Sequence, residues 1–218
     1  MTLFQRLKTD SAPDWNAYTN HAFVQQMGEG TLAEAAFREY LVQDYLFLIQ
    51  FARAYALSIY KSRSLDEMHH GLGGLKAILE VEMNLHVRLC EKWGISKEEL
   101  EATEEKTATV AYTRFVLDAG NAGDLLDLYV ALAPCMIGYG EIGAALKDKA
   151  TDGNPYAEWI NEYASDEYQA LAADTIAHIN QLGEELSSKA RYPKLQKLFA
   201  AATRLEADFW QMGLKVIK

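Results

Sequence analysis

Positive charge is scarce in this 218-residue chain: 21 Lys and Arg stand against 31 Asp and Glu, a formal net charge of −10. No basic stripe interrupts that balance. Such a surface repels phosphate backbones and anionic lipid, so neither nucleic acid nor membrane is an expected partner. Cysteine is nearly absent. Cys90 and Cys135 cannot build a disulfide framework and match no zinc-ligand spacing, so a metal site of that kind is not expected. No apolar stretch is expected to reach the ~18 residues needed to cross a bilayer. The opening MTLFQRLKTD lacks the apolar core of a signal peptide. These absences point to a soluble protein of a reducing compartment, the cytoplasm. Signatures of several enzyme classes are missing too. No G-x-G-x-x-G or Walker loop follows a strand, and no G-x-S-x-G elbow occurs. The chain has no Asn-Gly hairpin, no useful period-two run, no internal repeat and no low-complexity segment.

Helical periodicity is abundant. Ala35, Phe37, Leu41, Tyr45, Leu48, Phe51, Tyr55 and Ile59 recur at helical spacing, with Thr31 and Glu34 in a capping-box pattern before them. His69–Trp93 repeats the theme and Gly94 closes it. A charged connector over 96–106 holds one short turn near Lys97. Further helices are predicted over Thr109–Ala119 closed by Gly120, from an Asp124 cap to about Ala150, after an Asn154-Pro155 start, over Asp166–Ser187 and over Pro193–Ile217. The expectation is one all-α domain spanning 1–218, a bundle of seven or eight helices. Its site must then be built from side chains on facing helices. An unusual aromatic content, 12 Tyr, 8 Phe and 4 Trp, accompanies that fold.

Three constellations could carry chemistry. Pro134 sits deep in a helical run, where a kink or break is expected, and Cys135 follows with Tyr139 one turn on. Loosened backbone dipoles could activate Cys135 as a nucleophile, or the residue is a small buried hydrophobe. Asp44 lies inside a mostly apolar helix with Phe47 three residues on; buried, it needs an internal donor or an amine on a ligand. Glu206, with Phe209 and Trp210 on its face, suits a general acid/base, since apolar surroundings disfavour the charged carboxylate. Alternatively it lies on a solvated face over core aromatics. A competing set, Glu82, His86, Glu141, Asp174 and His178, could ligate iron as helical di-iron proteins do. Its two pairs are spaced i, i+4, one residue wider than the usual motif, and helical ion pairs account for them as well.

Five segments then form a pattern: Asn20-His21-Ala22-Phe23, Gly28-Glu29-Gly30-Thr31-Leu32, Phe37-x-x-Tyr40-Leu41-x-Gln43-Asp44-Tyr45-Leu46-Phe47, Pro134-Cys135-x-x-Gly138-Tyr139 and Glu206-x-x-Phe209-Trp210. In this order and separation, over about residues 14–213, they resemble the TenA/THI-4 family of thiaminase II enzymes, the aminopyrimidine aminohydrolases. The resemblance implies a haem-oxygenase-like bundle without haem, a homotetramer, and no cofactor. It implies hydrolysis of 4-amino-5-aminomethyl-2-methylpyrimidine to the hydroxymethylpyrimidine and ammonia in thiamin salvage, with cleavage of thiamin as companion activity. Carried over by motif, Cys135 is the nucleophile and Glu206 the acid/base. Asp44 binds the polar edge of the pyrimidine, and Phe47, Tyr112, Tyr139, Tyr163 and Phe209 surround the ring. Tyr112 and Tyr163 match through looser motifs, Ala22 replaces a frequent proline, and Phe47 stands where relatives carry Tyr or Phe. Cys135 places the chain in the cysteine-containing branch. Alternatives are a metal-dependent oxidase on the same scaffold and a non-catalytic pyrimidine or thiamin binder.

Overall fold

Polar side chains cap several of the helices of the computed structural model, which describes residues 1–217 apart from the side chain of Ile217. Thr2, Ser64, Ser96 and Ser165 each accept from the backbone N–H of the third helical residue, filling donors that the first turn leaves unpaired. The described residues form α1 (Leu3–Asp10), α2 (Ala12–Thr19), α3 (Ala22–Glu29), α4 (Glu34–Lys61), α5 (Leu65–Lys76), α6 (Met83–Lys92), α7 (Lys97–Ala102), α8 (Thr107–Ala122), α9 (Leu125–Leu146), α10 (Ala157–Tyr163), α11 (Asp166–Leu186) and α12 (Tyr192–Leu214). A π-helical turn, Ala77–Glu82, joins α5 to α6, and no strand occurs among the described residues. The all-α expectation holds, with more and shorter helices than seven or eight.

Four local expectations change. Thr31 does not cap α4, whose N-cap is Ala33. Gly30, at φ +69, ends α3 in a left-handed turn, and the N–H groups of Thr31 and Leu32 both return to the Gln26 carbonyl. Asn154 does not cap α10, which begins at Ala157 behind Tyr156. Its amide instead donates to the carbonyls of Met27, Gly28 and Lys149. Pro134 does not break α9, which runs unbroken past it. Finally, Leu125–Lys149 is long and apolar enough to span a bilayer, with a mean hydropathy of 1.4, unlike the expectation from the sequence. That stretch is 94% buried inside the protein and serves as a core helix.

The chain divides into two compact units, the first from Met1–Leu32 and Tyr129–Gln211, the second from Ala33–Leu128 and the residues from Met212. The first unit has an aromatic centre. Trp15 stacks on Phe199 at 5.5 Å, and Phe23 on Trp210 at 4.9 Å. Glycine lets its helices approach: a Cβ on Gly138 would lie 2.3 Å from the Tyr18 ring, and one on Gly143 2.4 Å from the Tyr163 carbonyl carbon. In the second unit, the buried Gln43 of α4 accepts from Lys106 N (2.8 Å) and Thr109 Oγ1 (2.6 Å) and donates to Glu104 O (3.1 Å). That clasp ties α4 to the start of α8.

The two kinds of glycine predict opposite effects. Gly143→Ala meets main chain and is expected to cost about 1–3 kcal/mol, lowering Tm by roughly 2–4 °C per kcal/mol. Gly73 has nothing within 4 Å of an added Cβ, and Gly73→Ala is expected to gain up to about 1 kcal/mol. Thermal melts of both variants check this.

Candidate active site

Helix α9 brings the thiol into an aromatic setting. The Pro134 carbonyl accepts from the Tyr18 hydroxyl at 3.2 Å, anchoring the turn that carries Cys135. Cys135 is 5% exposed, and Tyr139, one turn on, is also buried. The Tyr139 ring lies 5.0 Å from Tyr163 of α10 and 5.3 Å from Trp210 of α12. Gln169 of α11 secures this meeting point, its amide donating at 2.8 Å to both Gly140 O and Tyr163 O. Glu206 lies one turn before Trp210 on α12 and is 1% exposed, with Phe209 buried beside it in sequence. Cys135 and Glu206 therefore each lie one helical turn N-terminal of a member of the Tyr139–Trp210 contact. The first unit thus gathers the helices bearing Cys135, Tyr139, Tyr163, Glu206 and Phe209. A solvated face for Glu206 is ruled out by its burial.

The second unit holds the other three candidates. Phe47 of α4 meets Tyr112 of α8 at 5.1 Å with ring planes 32° apart. Asp44, one turn before Phe47, is 3% exposed. Its Oδ2 accepts from the Tyr40 hydroxyl at 3.1 Å and contacts His86 Nε2 of α6 as an ion pair. His86 Nδ1 in turn lies 3.0 Å from the Glu82 main-chain carbonyl. Burial alone would lower the His86 pKa, but the Asp44 charge and hydrogen bond, then the Glu82 carbonyl and charge, raise it overall. Spacing pairs His86 with the Glu82 side chain; in the structure it reaches Glu82 through the main chain and gives its other nitrogen to Asp44. Sequence reasoning missed Tyr40 and His86 as partners of Asp44. Tyr40 was readable at i−4, whereas His86 comes from another helix.

The five residues considered for iron do not assemble. Among the described residues no group of three or more His, Cys, Asp or Glu is arranged to hold a metal ion. His86 engages Asp44, and Glu141 accepts from Lys8 Nζ (2.5 Å) and Trp15 Nε1 (3.1 Å). His178 packs edge-on against Tyr129 at 4.5 Å. An open groove of about 520 Å³ in the second unit, lined by Glu34, Arg38, Glu39, Val42, Ile95 and Glu99 among others, contains none of the candidate site residues.

The two cysteines, both buried and neither in a disulfide, differ in setting. Burial, then the charges of Asp44 and Glu99, push the Cys90 thiol up to about 12. It therefore stays protonated at neutral and mildly alkaline pH, since a raised pKa favours the thiol until pH passes that value. Cys90 is expected to remain unmodified by a thiol reagent in the folded protein between pH 7 and 9, with peptide mapping as the readout. Cys90→Ala is expected to leave turnover within about twofold of the parent, as for a small buried hydrophobe.

Comparison with known proteins matches residues 9–215 to the TENA/THI-4/PQQC family. An aminopyrimidine aminohydrolase of Halalkalibacterium halodurans is 42% identical over 215 residues, 98% of this chain and 96% of that one. A crystal structure described as a TenA family transcription regulator from Silicibacter sp. TM1040 is 47% identical, with a TM-score of 0.91 over 97% of this chain and 96% of that one. A Shewanella denitrificans domain of unknown function with a heme oxygenase-like fold, 13% identical, superposes with a TM-score of 0.77 over 97% of this chain and 92% of its own. That last likeness shows the fold alone. With a family match over nearly its whole length and a haem-oxygenase-like helical fold, the chain belongs to the TENA/THI-4/PQQC family.

Proposed function

We propose that the protein is an aminopyrimidine aminohydrolase of thiamin salvage, a thiaminase II that cleaves an exocyclic C–N bond through Cys135. The observation that carries the reading is that Cys135 and Glu206, both buried, each lie one helical turn from a member of the Tyr139–Trp210 contact. The 42% identity to the Halalkalibacterium enzyme, over nearly the full length of both chains, supports the choice of substrate class.

The chemistry follows from a planar, electron-poor ring. Glu206 gives a proton to a ring nitrogen as Cys135 Sγ bonds to a ring carbon, so the ring electrons are no longer held in an aromatic sextet. Those electrons expel the amine from the exocyclic methylene, and it leaves as ammonia after taking up a proton. Water adds to the exposed methylene and loses a proton. The C–S bond then breaks, the thiolate departs, the ring nitrogen returns its proton to Glu206, and aromaticity is restored in the hydroxymethylpyrimidine. Asp44 accepts a hydrogen bond from the 4-amino group, a bond to a charged acceptor worth roughly 1.5–3 kcal/mol. Phe47, Tyr112, Tyr139, Tyr163 and Phe209 provide flat surfaces for the ring. Thiamin, which carries a thiazolium on the same methylene, is cleaved by the same sequence with the thiazole as leaving group. None of these steps uses a metal or cofactor.

The proposal takes residues 1–218 as one functional domain, cytoplasmic and assembled as a homotetramer. Exposed apolar side chains in the second unit support the assembly. Leu65, Met68 and Leu72 are exposed along α5, followed by Leu79 and Val81 of the π-helical turn. A second reading, a non-catalytic pyrimidine binder, is favoured by one fact: the 47% identical Silicibacter protein is described as a transcription regulator.

Two measurements test these readings. Ammonia release from 4-amino-5-aminomethyl-2-methylpyrimidine is expected for the parent protein. It should fall by at least about 10³ in Cys135→Ser, the scale on which a lost nucleophile acts, and by about 10²–10⁴ in Glu206→Gln. Micromolar binding without turnover would favour the binder instead. Light scattering should give four times the 24.5 kDa chain mass, and Leu72→Glu with Leu79→Glu should lower it.

A further inference from the structure

His86 is completely buried, and both of its ring nitrogens face acceptors. A main-chain carbonyl cannot donate, so Nδ1, 3.0 Å from Glu82 O, carries a hydrogen. A neutral ring protonated there would aim the Nε2 lone pair at Asp44 Oδ2. The contact therefore needs a second proton between Nε2 and Oδ2. Placed on Nε2, that proton makes an imidazolium–carboxylate pair. The groups facing the ring agree with this assignment. They are Asp44 and Tyr40 from α4 and Glu82 from the π-helical turn; on α6 itself, Cys90 is a thiol that the Asp44 charge helps to keep protonated.

The contacts on Asp44 are one-sided. The Tyr40 hydroxyl and His86 Nε2 both reach Oδ2, and no described residue donates to Oδ1. Two donors on one oxygen fix the rotation of the carboxylate and keep it an acceptor, with the second oxygen left over. The π-helical turn contributes as well. By inserting an extra residue between α5 and α6 it sets the register of the Glu82 carbonyl that holds His86.

We propose that His86 is a positioning residue for substrate binding: by occupying Asp44 Oδ2 with Tyr40, it presents Asp44 Oδ1 to the exocyclic 4-amino group of a 4-aminopyrimidine. The inference rests on the reading of Asp44 as the acceptor of that amine. It adds a residue that touches no substrate but sets the affinity for aminopyrimidines over analogues lacking the 4-amino group.

A double-mutant cycle on the full chain tests it, with KM and kcat for 4-amino-5-aminomethyl-2-methylpyrimidine as readouts. Asp44→Asn is expected to raise KM by about tenfold or more, as loss of a charged hydrogen bond does. His86→Leu should raise KM by about tenfold while kcat changes less. The double variant should be no worse than Asp44→Asn alone. His86→Gln, which keeps a donor, should recover part of the lost affinity. An unchanged KM in Asp44→Asn would overturn the reading of Asp44 and this proposal with it. A raised KM in Asp44→Asn, with His86→Leu either silent or fully additive, would overturn the positioning role alone. Should the buried substitutions fail to fold, nitrogen-15 NMR of the parent protein decides. Both His86 ring nitrogens protonated at neutral pH support the proposal, and a neutral ring with a bare Nε2 overturns it.

Discussion

A carboxylate inside an apolar helix is the constraint around which the second unit is arranged. Desolvating such a group costs several kcal/mol unless hydrogen-bond donors meet it. Asp44 meets two, from different elements: Tyr40 one turn earlier on α4 and His86 from α6. His86 needs its own anchor, which the Glu82 carbonyl supplies. A chain of three contacts thus links α4, α6 and the π-helical turn, and its charges also keep Cys90 in the thiol form. Gln43, beside Asp44 in sequence, applies the same principle to neutral groups by satisfying main chain at the start of α8. Buried polar contacts of this kind specify one arrangement of helices where apolar packing alone tolerates several.

In the first unit, aromatic area and close helix approach do that work. Glycines at 138 and 143 leave room for the Tyr18 ring and for the main chain at Tyr163, so α9 comes nearer to its neighbours than side chains would allow. The result is a contiguous aromatic surface, Tyr139 with Trp159, Tyr163 and Trp210. The helices bearing Cys135 and Glu206 lead into it. Part of the high tyrosine content thereby gains a physical reason: buried rings carry apolar area into the core, and the hydroxyls of Tyr18 and Tyr156 tie Pro134 O and Leu32 O.

Much of this was legible in the sequence because it is local. Helix starts at Ser96 and Asp124 follow from one side chain and the turn after it, and the long helix α4 follows from its apolar period. The eight-residue helices α1, α2 and α3 are too short to show a period. Periodicity also passes over the π-helical turn inside what reads as one helix from His69 to Trp93, since the chain stays helical and apolar residues recur on both sides of it. Thr31 failed as a cap because Gly30 claimed its backbone for the end of α3, a competition that neither motif reveals alone. Among the candidate site residues, Asp44 stood out as a carboxylate among apolar residues. Its histidine did not, because that contact joins residues 44 and 86 across two helices, and sequence spacing reports only neighbours one turn apart.

The central claim is that Cys135 bonds to the pyrimidine ring during turnover. Rapid quenching of the enzyme with 4-amino-5-aminomethyl-2-methylpyrimidine, followed by intact-mass and peptide mass spectrometry, tests it most directly. The account predicts a pyrimidine adduct that maps to the peptide containing Cys135 and is absent from Cys135→Ser. Full turnover by Cys135→Ser, with no adduct on the parent enzyme at any quench time, would contradict it.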